Sequence, residues 1–207
     1  MEQKELEYNL IKIGDFQDKA FIFIHGWQGN RNSMRPLIQS MNIKNVGWYL
    51  LEAPFPVEGV KDGYSWSYEI SKGVWEEDKP INLLNIFFND LFKEYSSKNI
   101  YIMGFSQGGL VCIDFVLFLT KPLGGVFPIA GFSRHPKVKI SRCHPCQKNT
   151  QIIIAHGRDD KQVPVSASVD IFQQLKEQGC NVELILYKGE HNIGIECLRK
   201  IKTIIQN

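Results

Sequence analysis

Gly104-Phe105-Ser106-Gln107-Gly108, followed by Gly109 and an apolar run, closes a strand-like stretch at residues 99–105. The sequence therefore reads strand, tight turn, helix. In such a turn the serine takes a strained backbone position that lifts its hydroxyl clear of the chain. The two flanking positions call for glycine, because side chains there would collide with neighbouring chain. A helix starting at Ser106 aims its N–H groups and positive dipole end at the space beside the hydroxyl, where an oxyanion would form. Ser106 is thus the candidate nucleophile of a G-x-S-x-G pattern. The plainer alternative is a glycine-rich turn with an ordinary serine; the strand before it and the buried helix after it favour the nucleophile.

Outward from this turn, short apolar runs alternate with longer amphipathic ones. The strand-like runs are 20–25, 46–52, 99–105, 125–130, 151–156 and 182–187. Several are continuously apolar, as strands covered on both faces of a parallel sheet should be. Leu84, Phe87, Phe88, Leu91, Phe92 and Tyr95 follow helical spacing on one face, with Pro80 in the first turn. Val169, Phe172 and Leu175 mark a second helix that Gly179 would stop. Ile195, Leu198, Ile201, Ile204 and Ile205 mark a last one. Strand and helix in alternation imply a doubly wound, mostly parallel α/β fold with right-handed crossovers, with residues 1–207 as a single domain; the G-x-S-x-G turn set in that fold resembles the α/β-hydrolases.

Composition narrows the function. Apolar residues make up 43% and charged residues 22% of the 207, the mix of a soluble globular protein. A net charge of +2 gives no support to a nucleic-acid partner. The start, MEQKELEYNL, lacks the basic and apolar segments of a secretory signal. The apolar stretch 108–132 is broken by Asp114, Lys121, Pro122 and a glycine pair, and reads as a buried helix and strand, not a membrane span. Five scattered cysteines fit reduced thiols in a cytoplasm better than a disulfide framework.

A serine hydroxyl needs a histidine to take its proton and a carboxylate to orient that histidine. In this fold the chain order is Ser, then Asp or Glu, then His. His25, His135, His144 and His156 all precede the expected acid. His191 follows the last strand, just before the final helix, where the base must lie. The acid belongs in the loop after residue 156, which contains both Asp159 and Asp160; spacing alone does not choose between them. For the oxyanion, one backbone N–H is expected from Trp27 in His25-Gly26-Trp27-Gln28-Gly29-Asn30 and one from Gln107, the residue after the nucleophile. His25 reads as a structural tie at a strand end.

With these residues in hand, the chain resembles the phospholipase/carboxylesterase family, which includes the acyl-protein thioesterases. The likeness runs from about Phe21 onward and is carried by His25-Gly26, Gly104-Phe105-Ser106-Gln107-Gly108-Gly109, His156-Gly157-x-x-Asp160-x-x-Val163-Pro164 and Gly189-x-His191. The resemblance implies that Asp160 is the acid, giving Ser106, Asp160 and His191 as the triad. It also implies a hydrolase of carboxylic esters or thioesters, on small molecules or acylated proteins, that needs neither cofactor nor metal and leaves room for a homodimer. Trp66, in Tyr64-Ser65-Trp66-Ser67-Tyr68, resembles the family's aromatic substrate-side segment, and Trp27 stands where the thioesterases carry a small aliphatic residue, so both are expected at the substrate.

Three other features compete for attention. Cys143-His144-Pro145-Cys146 is a C-x-x-C run that could be redox-active or half a metal site, or a plain exposed connector; a metal site lacks a second ligand pair, and a strand rather than a helix is expected to follow. Arg134, Lys137, Lys139, Arg142 and Lys148 form a basic stretch without an acid, read as solvated loop. Asp114, inside an apolar helix, reads as a structural carboxylate. A catalytically silent member that binds a ligand or partner is the alternative to an enzyme, and the intact Ser106, Asp160 and His191 speak against it.

Overall fold

A computed structural model describes residues 5–134 and 142–206. In chain order its elements are β1 (Tyr8–Ile13), β2 (Lys19–Ile24), α1 (Arg35–Met41), β3 (Val46–Leu51), β4 (Phe55–Pro56), β5 (Tyr64–Ser65), β6 (Tyr68–Ser71), β7 (Val74–Glu76), α2 (Asp78–Glu94), β8 (Ile100–Phe105), α3 (Gln107–Asp114), β9 (Gly125–Ile129), β10 (Gln151–Gly157), α4 (Val165–Glu177), β11 (Val182–Tyr187) and α5 (Ile195–Gln206). The central sheet has the order β1-β3-β2-β8-β9-β10-β11. Only β1 runs antiparallel to its neighbour within it. Each of the six expected strands is present, with ends within one residue of those expected.

Strand alternation divides the core in two. Ala20, Ile22 and Ile24 of β2 face the side covered by α2, α3 and α4. Phe21 and Phe23 face the side covered by α1 and α5, against Trp48, Phe127 and Ile201. Both sides of β2 are buried, which is why its sequence is continuously apolar rather than alternating. The helix α2 packs through Leu84, Phe87, Phe88 and Leu91, with Pro80 in its first turn. Gly179, at φ +74°, follows the end of α4 and takes the left-handed conformation that stops a helix.

Elements absent from the sequence expectation are β1, α1 and the small hairpins β4–β5 and β6–β7. Strand β1 is an edge strand with every residue at least partly exposed; Ile11 and Ile13 pack on the core while apolar Tyr8 and Leu10 lie on the exposed face, which blurs the alternation. The apolar stretch after Ser106 is interrupted sooner than expected: α3 ends at Asp114, and a 3₁₀ turn at Val116–Phe118 precedes β9. No described helix is long and apolar enough to cross a membrane.

Candidate active site

The carboxyl ends of β2, β8, β10 and β11 gather the candidate residues at one edge of the sheet, where ligands bind in open α/β folds. Ser106 sits between β8 and α3 at φ 55°, ψ −113°, a conformation that costs energy for any residue bearing a Cβ. The glycines around it are dictated by space. A Cβ at Gly104 would lie 2.0 Å from the Gly108 carbonyl oxygen, and one at Gly108 would lie 2.1 Å from that of Ile24. Gln107 opens α3, so its N–H belongs to the first turn, which has no partner within the helix. Its side chain is buried and ties the turn to the 65–67 segment: Oε1 accepts from Trp66 N–H at 3.0 Å, and Nε2 donates to Ser65 Oγ at 2.9 Å.

Asp160 and His191 meet. Nδ1 of His191 donates to Asp160 Oδ2 at 2.7 Å. The other oxygen, Oδ1, accepts from Gln162 N–H at 2.8 Å and Val163 N–H at 2.9 Å. Burial alone would raise the Asp160 carboxyl, but the His191 hydrogen bond and these two N–H groups outweigh it and hold it below the usual carboxylate range. The two loops touch through backbone. Asp159 N–H donates to the Gly189 carbonyl at 2.9 Å, and a Cβ at Gly157 would strike the Glu190 carbonyl oxygen at 2.2 Å. Asp159 is exposed. The His191 ring packs on Phe105, with centroids 4.8 Å apart.

His156, fully buried, braces the same carboxylate. Its Nε2 lies 3.1 Å from Asp160 Oδ2 and 3.0 Å from the Val163 carbonyl, and its Nδ1 lies 2.7 Å from Ser168 Oγ. Two acceptors at Nε2 assign the proton there, leaving Nδ1 to accept from Ser168.

Ser106, Gln107 and His191 line one cavity of about 370 Å³ with Trp27, Ser65, Ser67, Trp75, Phe132, Arg134, Gln162 and Val163. Trp27 is 60% exposed at its rim. Trp66 is 2% exposed; its Nε1 donates to the His25 carbonyl at 3.0 Å, and it faces a smaller neighbouring cavity of about 150 Å³ lined largely by α2 and α3 residues. Trp75 and Arg134 were not expected here. Arg134 stacks on the Trp75 ring at 3.9 Å and pairs with Glu77. No periodicity marks either residue, because both lie in segments whose position is set by tertiary contacts.

Asp114 accepts from Ser133 Oγ at 2.7 Å and Arg134 N–H at 3.1 Å, in keeping with a structural carboxylate. Arg142 is buried rather than part of a solvated loop; it bonds Gln174 and Ser133. Its guanidinium has left the surface because polar side chains on α4 and the 131–134 segment receive it. Within the Cys-His-Pro-Cys run Cys143 is buried, His144 and Cys146 are partly buried and Pro145 is exposed, and a short 3₁₀ helix, Pro145–Asn149, precedes β10. His135, Lys137 and Lys139 lie outside the described residues.

His25 is the structural tie expected of it. It is 1% exposed, donates through Nδ1 to the Gly26 carbonyl at 2.7 Å and accepts at Nε2 from Ala53 N–H at 3.1 Å. Burial lowers its pKa to about 4, against a smaller opposite effect of the Gly26 bond. Between about pH 6.5 and 4 the unfolded chain therefore takes up a proton that the folded chain refuses. Stability is complete at neutral pH and falls on acidification, by about 3 kcal/mol from this residue once pH drops below 4. Urea melts from pH 7 to 4 are expected to show that His25→Gln loses part of the acid sensitivity. Equal slopes for the two proteins would remove the assignment.

Comparison with known proteins agrees with this architecture. The sequence profile of the phospholipase/carboxylesterase family matches residues 10–207. Carboxylesterase SOBER1 of Arabidopsis thaliana is 26% identical over 202 residues, covering 89% of this chain and 88% of that protein. Acyl-protein thioesterase 1 of Neurospora crassa is 27% identical over 177 residues, covering 82% and 66%. Among solved structures, esterase PE8 superposes with a TM-score of 0.84 at 18% identity, covering 98% of each chain, a likeness of fold. The profile spans nearly every element that builds the site, and on that match the chain belongs to the phospholipase/carboxylesterase family.

Proposed function

We propose that this protein is a serine hydrolase that cleaves carboxylic esters or thioesters through an acyl-enzyme on Ser106, with His191 as base and Asp160 as its orienter. The observation that carries the reading is the 2.7 Å bond between Asp160 and His191, with His191 and the strained Ser106 on the wall of one cavity. The names of the carboxylesterase and thioesterase relatives point the same way.

In this reading, Asp160 keeps the proton on His191 Nδ1, so Nε2 is free to accept the Ser106 hydroxyl proton. Ser106 Oγ attacks the carbonyl carbon, and the negative charge that develops on the carbonyl oxygen is held by the backbone N–H groups of Trp27 and Gln107. His191 then returns the proton to the leaving alcohol or thiol. Water, activated by the same imidazole, releases the acid and restores Ser106. Trp27, Trp75 and Phe132 give the cavity aromatic walls for an acyl chain or leaving group, while Ser65, Ser67 and Gln162 keep part of it polar.

A fluorophosphonate probe is expected to label the protein once, on the peptide containing Ser106. A panel of p-nitrophenyl esters from acetate to decanoate, run beside matching acyl-thioesters, is expected to show turnover that peaks at short to medium chains. No labelling and no turnover across the panel would leave a binding protein as the surviving reading.

A further inference from the structure

The fold splits the C-x-x-C run. Cys143 Sγ lies 3.1 Å from Cys180 Sγ, a thiol pair in which either sulfur can donate. Cys146 turns elsewhere: its sulfur lies 3.0 Å from His144 Nδ1 and 3.4 Å from the Leu119 carbonyl, to which it donates. Cys143 and Cys180 are both buried and stand 37 positions apart in sequence. Their backbones are held independently. Cys180 N–H donates to the Leu175 carbonyl at 3.0 Å, and His144 N–H, next to Cys143, donates to the Leu117 carbonyl at 2.8 Å. A disulfide needs its sulfurs about 2.05 Å apart, so the remaining approach of about 1 Å is within reach of side-chain rotation.

We propose that Cys143 and Cys180 form a reversible redox site, closing to a disulfide when the protein meets a small-molecule disulfide as oxidant. One protein thiolate attacks the small disulfide, bonds to one sulfur and expels the other as a thiolate. The second protein thiolate attacks the mixed disulfide and expels the remaining small thiolate. Two electrons pass from the protein sulfurs to the oxidant, and the two protons lost by the cysteines end on the two small thiols. Burial pushes the Cys143 thiol up to about 12, with the Cys180 contact adding to it, and both sulfurs are covered, so the exchange waits on local opening as well as ionisation and is slow at neutral pH and faster in alkali. The bond ties the start of the connector into β10 to the loop in front of β11. Phe132 and Arg134, on the cavity wall, lie upstream on the same stretch of chain. Cross-linking a span of this length removes freedom from the unfolded chain.

The test is oxidation of the whole protein with excess oxidised glutathione at about pH 8.5, followed by alkylation and peptide mapping. The expected product has lost two hydrogens and yields one cross-linked pair containing Cys143 and Cys180. Its melting temperature rises by about 5–10 °C and returns on adding dithiothreitol. Cys146→Ser keeps the cross-link, and Cys180→Ala lacks it. A Cys143–Cys146 bond, stable mixed disulfides at these positions, or two alkylated thiols after exhaustive oxidation would each overturn the proposal. The readout on the unmutated chain is chemical and independent of any hydrolytic activity.

Discussion

Ser106→Ala is expected to lower ester turnover by on the order of 10⁴-fold or more while the protein stays folded. Alanine keeps the Cβ, so the cost of φ 55° is unchanged and only the hydroxyl is removed. Ser106→Gly removes the same hydroxyl and also relieves the backbone, so it is expected to be as inactive but more stable by about 1 kcal/mol. Paired measurements of kcat/KM and melting temperature check both. A folded Ser106→Ala variant that keeps most of its activity would sink the nucleophile assignment.

Asp160→Asn is expected to cost about 10³- to 10⁴-fold in kcat, and Asp159→Asn less than about threefold. Asparagine at 160 can still accept the Gln162 and Val163 N–H groups at Oδ1. Its amide nitrogen then meets His191 Nδ1, donor against donor. The imidazole must move its proton to Nε2, the atom that should accept from Ser106, and the base is lost while the loop remains. His156 loses one of its two acceptors at Nε2 but keeps the Val163 carbonyl, so the variant should fold. Asp159 holds the loop through its backbone N–H, which the substitution spares. If the two variants rank the other way, the acid is Asp159.

Most of this was legible because backbone geometry constrains the sequence tightly where the site is built. The glycines at 104 and 108 are required by atoms 2.0 and 2.1 Å away, so a pattern of residue types reports a turn. Strands such as β2 and β9, buried on both faces, announce themselves by uninterrupted apolar runs. Choosing between Asp159 and Asp160 took family likeness, since adjacent carboxylates differ only in which way the loop turns them. Strand β1 escaped because Tyr8 and Leu10 are exposed and its other face, with Ile11 and Ile13, is only partly buried. Trp75 and Arg134 escaped because their place beside Ser106 depends on a ring–guanidinium contact between distant segments. The pairing of Cys143 with Cys180 was hidden by the closer Cys146, whose sequence spacing suggested a partnership the fold does not make.

The strand order has a consequence for how the protein comes into being. Ala20 pairs with Ile100, so β2 and β8, whose ends lead into Trp27 and Ser106, come together only after the long intervening segment with β3 and α2 has been made. Loop closure of that span must be met before the pairing repays it, and pairing at such a separation slows folding. The groove's remaining wall waits for β10 and β11, which bring Asp160 and His191. A polypeptide still emerging from the ribosome, with β11 not yet made, therefore holds Ser106 and its glycines but not His191. On the proposed mechanism, a growing chain that has not yet reached His191 is inert toward the esters and thioesters around it.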